Sequence, residues 1–380
     1  MSITAARVVT SAALVALLAG SALAGPWSQG NLVVLQVGPS QNIGAGAPNL
    51  NAVAHAVTLR EFAVGPGFSG NDVAINASST GTRLTVSGSS TSEGAMNLSA
   101  DNRFLVFGGY DAAQGQSGPN ANSSIATSIN GTGAGTDVAR VVGAVDLAQN
   151  VNLNRLTDSY STNNFRGGAS LDGTSFVTNA SGNGLRNLTP PATTTSGNST
   201  TILNTRVARF DLGNRLFVSS ASGMFFGISE VAAGTATLLP GFPSSTGPSP
   251  YDFEFISNTL LYVADDRSVA SGGGLQRWTF NGTIWNLQYT IAVTNGLRSI
   301  AVTIDALGNN LIYAVTGGAS AGGVTNLVSI SDTGAGSTVN TLATAASGNL
   351  FRSVEFVPVP TPGAAALLGL GGLVAIRRRR

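Results

Sequence analysis

Residues 207–223 read VARFDLGNRLFVSSASG, which is a short apolar strand, a turn containing Asp, Gly and Asn, and a second apolar strand. Asn and Gly tolerate the positive φ that tight hairpin turns require, so this stretch predicts a β-hairpin. The same pattern recurs in four further segments, at 96–110, 168–180, 251–265 and 298–318. The chain is therefore expected to be built from repeated hairpins.

The second strands of these hairpins are predicted to begin near Phe104, Phe176, Leu216, Leu260 and Leu311. The last three intervals are about 40 to 51 residues, the length of a four-stranded propeller blade. We expect an all-β, β-propeller-like fold of about six to seven blades. The alternative is a parallel β-helix, whose shorter rungs fit this spacing less well.

A shorter pattern also repeats: an aromatic residue or Leu, then Arg, a small residue and an apolar strand. It occurs in FRGGASLDG (165–173), LRSIAVTID (297–305) and FRSVEFVP (351–358). The first strand of the body, NLVVLQV (31–37), has no hairpin partner beside it. We expect it to pair with the last blade and close the ring, which removes a sheet edge. A further strand is predicted at 139–147. Two polar segments, 111–137 and 189–201, are predicted to be loops.

Composition excludes several classes of site. The 380 residues contain no Cys and one His, His55, so thiolate and multi-His metal sites are excluded. We expect His55 to be structural. Five of the 19 basic residues lie in the two end segments, which leaves 14 against 18 acidic residues in the body. A mildly acidic body without a basic patch argues against nucleic-acid binding.

The N-terminus, MSITAARVVTSAALVALLAGSALA (1–24), has one Arg before an apolar stretch and ends in small residues. This order predicts a secretory signal peptide. Signal peptidase is expected to recognise Ala22 and Ala24 and to cut before Gly25. The body is then residues 25–358.

The C-terminus has three parts in order. Val359, Pro360, Thr361 and Pro362 form a Pro-rich element, an apolar run follows, and Arg377, Arg378, Arg379 and Arg380 end the chain. The apolar run predicts a short transmembrane helix, and the arginines are expected to stay on the cytoplasmic side. Residues 359–380 are therefore predicted to halt the chain in the membrane with the body outside.

This tail resembles the bacterial PEP-CTERM sorting signal, in which a Val-Pro-x-Pro element precedes a short helix and an Arg cluster. The third residue of the element is usually Glu in that family, and Thr361 stands there in this sequence, as in planctomycete-type variants. The resemblance covers about 24 residues. It implies an exosortase-like processing enzyme as a partner and a location at the cell envelope or in the extracellular matrix.

Carboxylates provide the strongest hints of chemistry in the body. Asp252 and Glu254 are two residues apart in a predicted strand, so their side chains are expected to share one face. Such a pair is compatible with general-acid catalysis of glycoside hydrolysis or with Ca²⁺ binding. Asp265 and Asp266 follow the next strand, where a loop Ca²⁺ site is conceivable. The competing interpretation is that all four are polar positions of a propeller face.

Aromatic residues mark one more hairpin, LQRWTFNGTIWNLQYTIAV (275–293). Trp278 precedes its Asn-Gly turn and Trp285 follows it. The two rings could form a platform for a sugar ring, or a cross-strand pair that holds a blade together. We favour the second interpretation.

Together these features predict an exported, envelope-anchored, non-catalytic surface or matrix protein. The expected ligand is a polysaccharide or another envelope component, and no cofactor is expected. The alternative function is a propeller-based glycan-active hydrolase or lyase that uses Asp and Glu. A third possibility is a purely structural surface component that binds no small ligand. The sequence does not specify the ligand or the oligomeric state.

Overall fold

Every strand pairing in the part of the chain that the structure describes is antiparallel. The computed structural model describes residues 26–39, 50–64, 68–78, 80–122, 124, 137–317 and 323–359. Antiparallel pairing throughout these residues excludes a parallel β-helix. The predicted all-β class is confirmed.

The described residues form 25 strands and one 3₁₀ turn at Val269–Ser271. In chain order the strands are β1 Leu32–Val37, β2 Ala54–Phe62, β3 Phe68–Ala74, β4 Thr85–Ser87, β5 Met96–Leu98, β6 Phe104–Tyr110, β7 Arg140–Asp146, β8 Val151–Leu156, β9 Phe165–Ala169, β10 Phe176–Ala180, β11 Leu185–Leu188, β12 Ser196–Ser199, β13 Ala208–Phe210, β14 Leu216–Ser222, β15 Phe225–Ala232, β16 Thr235–Leu238, β17 Pro250–Ser257, β18 Leu260–Asp265, β19 Gly274–Phe280, β20 Trp285–Ala292, β21 Leu297–Ile304, β22 Asn310–Thr316, β23 Asn326–Ser331, β24 Val339–Thr344 and β25 Leu350–Phe356.

The strands form a propeller-like arrangement of sheets. Four sheets of four strands follow one another along the chain: β9 to β12, β13 to β16, β17 to β20 and β21 to β24. The other nine strands make one sheet in the order β25-β1-β2-β4-β6-β7-β8, with β3 paired to β2 and β5 to β6. The expected count of six to seven blades is therefore not supported, because β4 joins what would be separate sheets.

Apolar side chains pack between successive sheets and make the arrangement continuous. Phe217 of β14 and Phe253 of β17 share one core cluster, and Tyr262 of β18 and Ile300 of β21 share another. The nine-stranded sheet packs at both ends of this series, against β9 and β10 on one side and against β22 and β23 on the other. Each sheet thus buries both faces against its neighbours, which is how a propeller-like fold forms its core.

All five predicted hairpins are present. They are the pairs β5–β6, β9–β10, β13–β14, β17–β18 and β21–β22. Four of the five turns use the expected backbone conformation, with positive φ at Asn102, Gly173, Asn214 and Gly308, and the β17–β18 turn does not. The aromatic hairpin at 275–293 is confirmed as β19–β20, and the additional strand predicted at 139–147 is β7.

The predicted ring closure is also confirmed. β1 pairs with β25, from Leu32 opposite Phe356 to Val37 opposite Leu350, and its other edge pairs with β2. All six side chains of β1 are buried. The first and last strands of the body therefore hold each other in place, and β1 is paired along both of its edges.

One loop prediction is wrong in part. Residues 189–201 contain β12, an outer strand that pairs with β11 through Ser199 opposite Leu185. Its Ser-Gly-Asn-Ser sequence lacks apolar alternation because only one of its four side chains is buried. The predicted loop at 111–137 has no strand in its described part, residues 111–122, 124 and 137.

Both end segments lie outside the described residues. This applies to the signal peptide at 1–24, to its cleavage site at Ala22, Ala24 and Gly25, and to residues 360–380 of the sorting signal. Val359 is the last described residue, and its N–H donates to the carbonyl of Asn102 (2.9 Å). Within the described ranges, no helix is long and apolar enough to cross a membrane.

Candidate functional site

We call β5, β9, β13, β17, β21 and β25 the axis strands. Contacts join β25 to β5 and β21, β9 to β5 and β13, and β17 to β21, and Arg209 of β13 contacts Glu254 of β17. Hydrogen bonds between β17 and β21 show the direction in which these strands run. Asp252 of β17 accepts a hydrogen bond from Ile300 N of β21 (3.0 Å), and Glu254 accepts one from Val302 N (3.1 Å). Since the offset is the same for both bonds, β17 and β21 run in the same direction. Arg206 lies over Tyr251, and Arg209 contacts Glu254 three residues further along both segments, so β13 runs in that direction too.

A group of three carboxylates surrounds one arginine where the axis strands end. The Arg209 guanidinium of β13 contacts Glu355 of β25 (Nη2 to Oε2, 2.5 Å), Glu254 (Nη1 to Oε2, 3.3 Å) and Asp252 (Nη2 to Oδ1, 3.8 Å). We call these four residues the carboxylate cluster. It draws side chains from three different axis strands, so it also ties the strands together.

Burial changes the acidity of the carboxylate cluster. It raises the pKa of Glu254 to about 8 and that of Glu355 to about 7, with Arg209 opposing both shifts. Burial also raises the pKa of Asp252. Burial lowers the pKa of Arg209, but its three carboxylate neighbours outweigh this effect and leave that pKa raised. The cluster can therefore take up a proton near neutral pH, a property common at functional sites.

The carboxylate cluster opens into a cavity of about 130 Å³, whose wall includes Arg209, Glu254 and Glu355. Two larger cavities adjoin it. One, of about 330 Å³, shares Phe210 with it. The other, of about 520 Å³, shares Asp211 and Phe255. The shared wall residues make the three cavities neighbours, with the carboxylate cluster on the wall of the central one, and we call the three together the groove.

Apolar side chains stand exposed along this groove. Leu212, on the β13–β14 turn, lines the central cavity with 78% of its surface exposed, and Leu171 lines the cavity beyond Phe210 with 42% exposed. Phe210 and Phe255 are half-buried in its walls. Exposed apolar side chains gathered at one groove are typical of an interaction surface.

Only two of the four predicted carboxylates belong to this site. Asp252 and Glu254 do share a face, as predicted. Asp265 is buried elsewhere and is held by Arg267 (Nη2 to Oδ2, 2.8 Å) and Gln276 (2.9 Å). Asp266 pairs with Arg206 and Arg298. In the described residues no group of three or more His, Asp or Glu side chains could hold a metal ion, which leaves the Ca²⁺ idea without a ligand set.

The two tryptophans are structural. Trp278 stacks on Phe242 with ring centroids 4.0 Å apart, and its Nε1 donates to Gln276 (3.0 Å). Trp285 packs against Phe280 and Phe255. Both rings are buried, so neither offers a free platform for a sugar, although Trp285 lines part of the groove wall. His55 is likewise buried in β2, with its Nε2 3.1 Å from Asn51 Oδ1.

Arg209 and Glu355 were missed as site residues. Both lie in segments singled out for their strand pattern, VARF and FRSVEF, and both interrupt an apolar strand with a charge. That interruption was the available signal. Because the three strands are far apart in sequence, their convergence could not be read from spacing alone.

The carboxylate cluster predicts a specific pH dependence. Its raised carboxyl pKa values mean that the folded state binds more protons than the unfolded state, whose Glu pKa is 4.5. This contribution to stability is complete below pH 4.5 and is lost as pH rises through about 7 to 8. Between pH 4.5 and these raised pKa values, we expect the free energy of unfolding to fall by up to about 1.4 kcal/mol per pH unit for each carboxyl.

Urea denaturation between pH 5 and 9 measures this slope. The Glu254→Gln variant, which cannot ionise there, is expected to show a shallower slope. Glu230→Gln on the surface of β15 is the control and is expected to leave the slope unchanged. Equal slopes in the wild type and Glu254→Gln would contradict the assignment.

No protein family matches the sequence of this chain, and no curated protein matches it either. Among solved structures, it is similar to TolB from Acinetobacter baumannii, with a TM-score of 0.48, 12% identity, and coverage of 88% of this chain and 68% of that one. It is also similar to the periplasmic gluconolactonase PpgL from Pseudomonas aeruginosa (TM-score 0.41, 11% identity, 83% of each chain).

Proposed function

We propose that the protein is exported, is held at the cell envelope by its C-terminus, and binds a polysaccharide along the groove without catalysing a reaction. The binding proposal rests on one observation: three neighbouring cavities share wall residues. A row of neighbouring cavities suits an extended chain, whereas sites for small molecules are usually single pockets of about 300–1,000 Å³.

The groove also favours certain sugars over others. Among the described residues, its walls contain more carboxylates than guanidinium groups: Asp211, Glu230, Glu254 and Glu355 against Arg209 and Arg215. Because the raised pKa values of Glu254 and Glu355 leave them only partly ionised at neutral pH, the walls carry little net charge there and offer no attraction to a polyanionic chain. The exposed leucines and half-buried phenylalanines suit the C–H faces of sugar rings. The proposed ligand is therefore a neutral or amino-sugar polysaccharide.

Two features support binding over catalysis. The central cavity, about 130 Å³, is smaller than a typical substrate pocket. Both of its glutamates contact Arg209, so neither is free to approach a glycosidic bond. The raised pKa values of Glu254 and Glu355 favour the second candidate, a glycan-active hydrolase, because a general acid must hold its proton near neutral pH.

Binding of cellohexaose and of a chitosan hexasaccharide, measured by calorimetry, tests the groove. Leu212→Ser is expected to raise the Kd of the bound sugar roughly fivefold, because it removes an apolar contact. Leu307→Ser is the matched control, since Leu307 is also exposed on a hairpin turn but lines none of the three cavities. Absence of saturable binding, or equal losses in the two variants, would rule out the groove as the site.

The same sugars distinguish the hydrolase. If incubation with the protein releases new reducing ends, and Glu254→Gln abolishes their release, the catalytic candidate replaces the binding proposal. If the sugars bind and stay intact, the non-catalytic function stands.

Export is supported by the two end segments, which carry the order of features that signal peptidase and an exosortase-like enzyme would recognise. Deleting residues 359–380 removes the proposed anchor and leaves nearly the whole described body. We expect the truncated protein in the culture medium and the intact chain in the envelope fraction. Fractionation with an antibody against the body measures this, and unchanged envelope retention of the truncated chain would contradict the anchor.

The blade number is part of the same proposal. Within the nine-stranded sheet, β25, β1, β2 and β3 pair in series, and so do β5, β6, β7 and β8. We propose that these are two blades joined by β4, which would give a six-bladed propeller with the groove at one end of its axis.

A further inference from the structure

Four axis strands carry an arginine at an equivalent position near their beginning. These are Arg166, Arg298 and Arg352 in the sequences Phe-Arg-Gly, Leu-Arg-Ser and Phe-Arg-Ser, and Arg206 just before β13. Tyr251 occupies this position in β17. Arg206 and Arg352 each precede a carboxylate-cluster residue by three positions, so the two groups lie about 10 Å apart along the axis. We call these four residues the arginine cluster.

A β-bulge places each of these arginines. In β9 the register shifts so that Asn179 faces Gly167 and Ala180 faces Phe165, which leaves Arg166 as the extra residue. The same shift occurs at Arg298 and at Arg352. Arg206 donates its N–H to Ser219 O (2.8 Å), while Ser219 N donates to Val207 O (2.9 Å), so two residues again oppose one. Bulges re-aim side chains and are frequent beside functional sites.

The aromatic ring of Tyr251 packs against two of the four guanidinium groups. The Cζ atoms of Arg206 and Arg298 lie 4.3 and 5.2 Å from the centre of its ring. Asp266 accepts from both of them, at 3.3 Å from Arg206 and 3.4 Å from Arg298. These contacts hold the two arginines in place, but the two positive charges share the single negative charge of Asp266.

The other two arginines have only neutral hydrogen-bond acceptors within the described residues. Arg166 Nη1 donates to Asn204 Oδ1 (2.7 Å) and Thr205 O (2.8 Å), and Arg352 Nη2 donates to Gly88 O (2.8 Å). Glu93 lies near Arg352, but burial raises its pKa to about 7, so it is only partly ionised at neutral pH. The cluster therefore contains more positive than negative charge.

Three buried N–H groups of the cluster lack an acceptor in the described part of the chain: the Nε atoms of Arg166, Arg298 and Arg352. Arg166 and Arg352 are 8% and 6% exposed. A buried guanidinium with an unused donor and excess charge around it is costly unless an anion satisfies it. Arginine forks are the groups that best recognise phosphate and carboxylate oxygens.

We propose that the arginine cluster binds an oxyanion group, a phosphate or a carboxylate, of a soluble ligand. This site is separate from the groove, since it lies where the axis strands begin and the groove lies where they end. Arg206 and Arg298 retain some exposure and provide the contact with incoming ligand, while Arg166 and Arg352 supply the buried donors.

Calorimetric titration of the purified full chain with inorganic phosphate, and separately with glucuronate, tests this site. Saturable binding of at least one of them is expected, and the tighter of the two identifies the oxyanion as phosphate or carboxylate. Arg206→Gln and Arg298→Gln are each expected to weaken that binding about tenfold, because a charge-assisted hydrogen bond is lost. Arg103→Gln, a surface arginine paired with Asp101 elsewhere in the fold, is the control and is expected to bind like the wild type.

Circular dichroism of each variant shows whether it folds. If Arg298→Gln does not fold, Arg298→Lys, which keeps the charge, replaces it in the titration. No saturable binding of either anion at constant ionic strength would overturn the proposal. So would variants at Arg206 and Arg298 that bind as tightly as Arg103→Gln. The anion titration does not depend on the groove: a protein that binds no sugar there would still be expected to bind the anion at the arginine cluster.

Discussion

Replacing Arg209 with glutamine is expected to lower the free energy of unfolding by about 3–5 kcal/mol at pH 8. Arg209 is the cation in direct contact with Asp252, Glu254 and Glu355. Without it, carboxylates from two strands would remain buried without a counter-charge. The loss is expected to shrink at pH 5, where Glu254 and Glu355 take up protons and no longer need a partner.

Urea denaturation at the two pH values measures both effects. Arg215→Gln is the matched control, because Arg215 pairs with Asp211 at 2.6 Å on the same sheet but has half of its side chain exposed. Exposed pairs contribute about 0–1 kcal/mol. A loss in Arg209→Gln no larger than in this control, or one that does not depend on pH, would show that the carboxylate cluster does not hold the axis strands together.

Removing the last strand is expected to abolish folding. A chain that ends at Ala346 lacks β25, which pairs with β1 along its whole length. It also loses the buried Phe351 and Val354 and the cluster residue Glu355. Each buried apolar side chain contributes about 1.5–3 kcal/mol, and a domain of this kind is stable by only about 5–15 kcal/mol in total. We expect no cooperative thermal transition and no near-ultraviolet circular dichroism.

The matched control ends at Pro358, which removes residues 359–380 and keeps β25. This chain is expected to unfold cooperatively, with a Tm close to that of the full body. If the shorter chain also unfolds cooperatively, the pairing of β1 with β25 does not close the structure in the way described here.

Local features of the fold were predictable from the sequence because hairpins are encoded locally. Positive φ at Asn214 and Gly308 requires residues that tolerate it, and apolar alternation marks the strands on either side. The closing pair β1–β25 was predictable for a different reason: NLVVLQV is too apolar to be left at an open edge, and no partner lay next to it in sequence.

Long-range pairings were not predictable in the same way. β4 is three residues long and pairs with both β2 and β6, and nothing in Thr85–Ser87 specifies either partner. Likewise, Glu254 could be singled out from its spacing to Asp252, but its contact with Arg209 depends on how the sheets pack around the axis. The repeated arginines of the arginine cluster can be seen in the sequence, but only the β-bulges of the structure explain why their side chains lie close together.

The central claim is that an extended sugar chain lies in the groove above the carboxylate cluster. Hydrogen–deuterium exchange of the full chain, with and without whichever hexasaccharide binds more tightly, tests it most directly. The account predicts slower exchange at residues 210–215 and 255–259, whose turns border the central cavity and the neighbouring cavity of about 520 Å³. Protection confined to other segments, or none at a saturating sugar concentration, would contradict it.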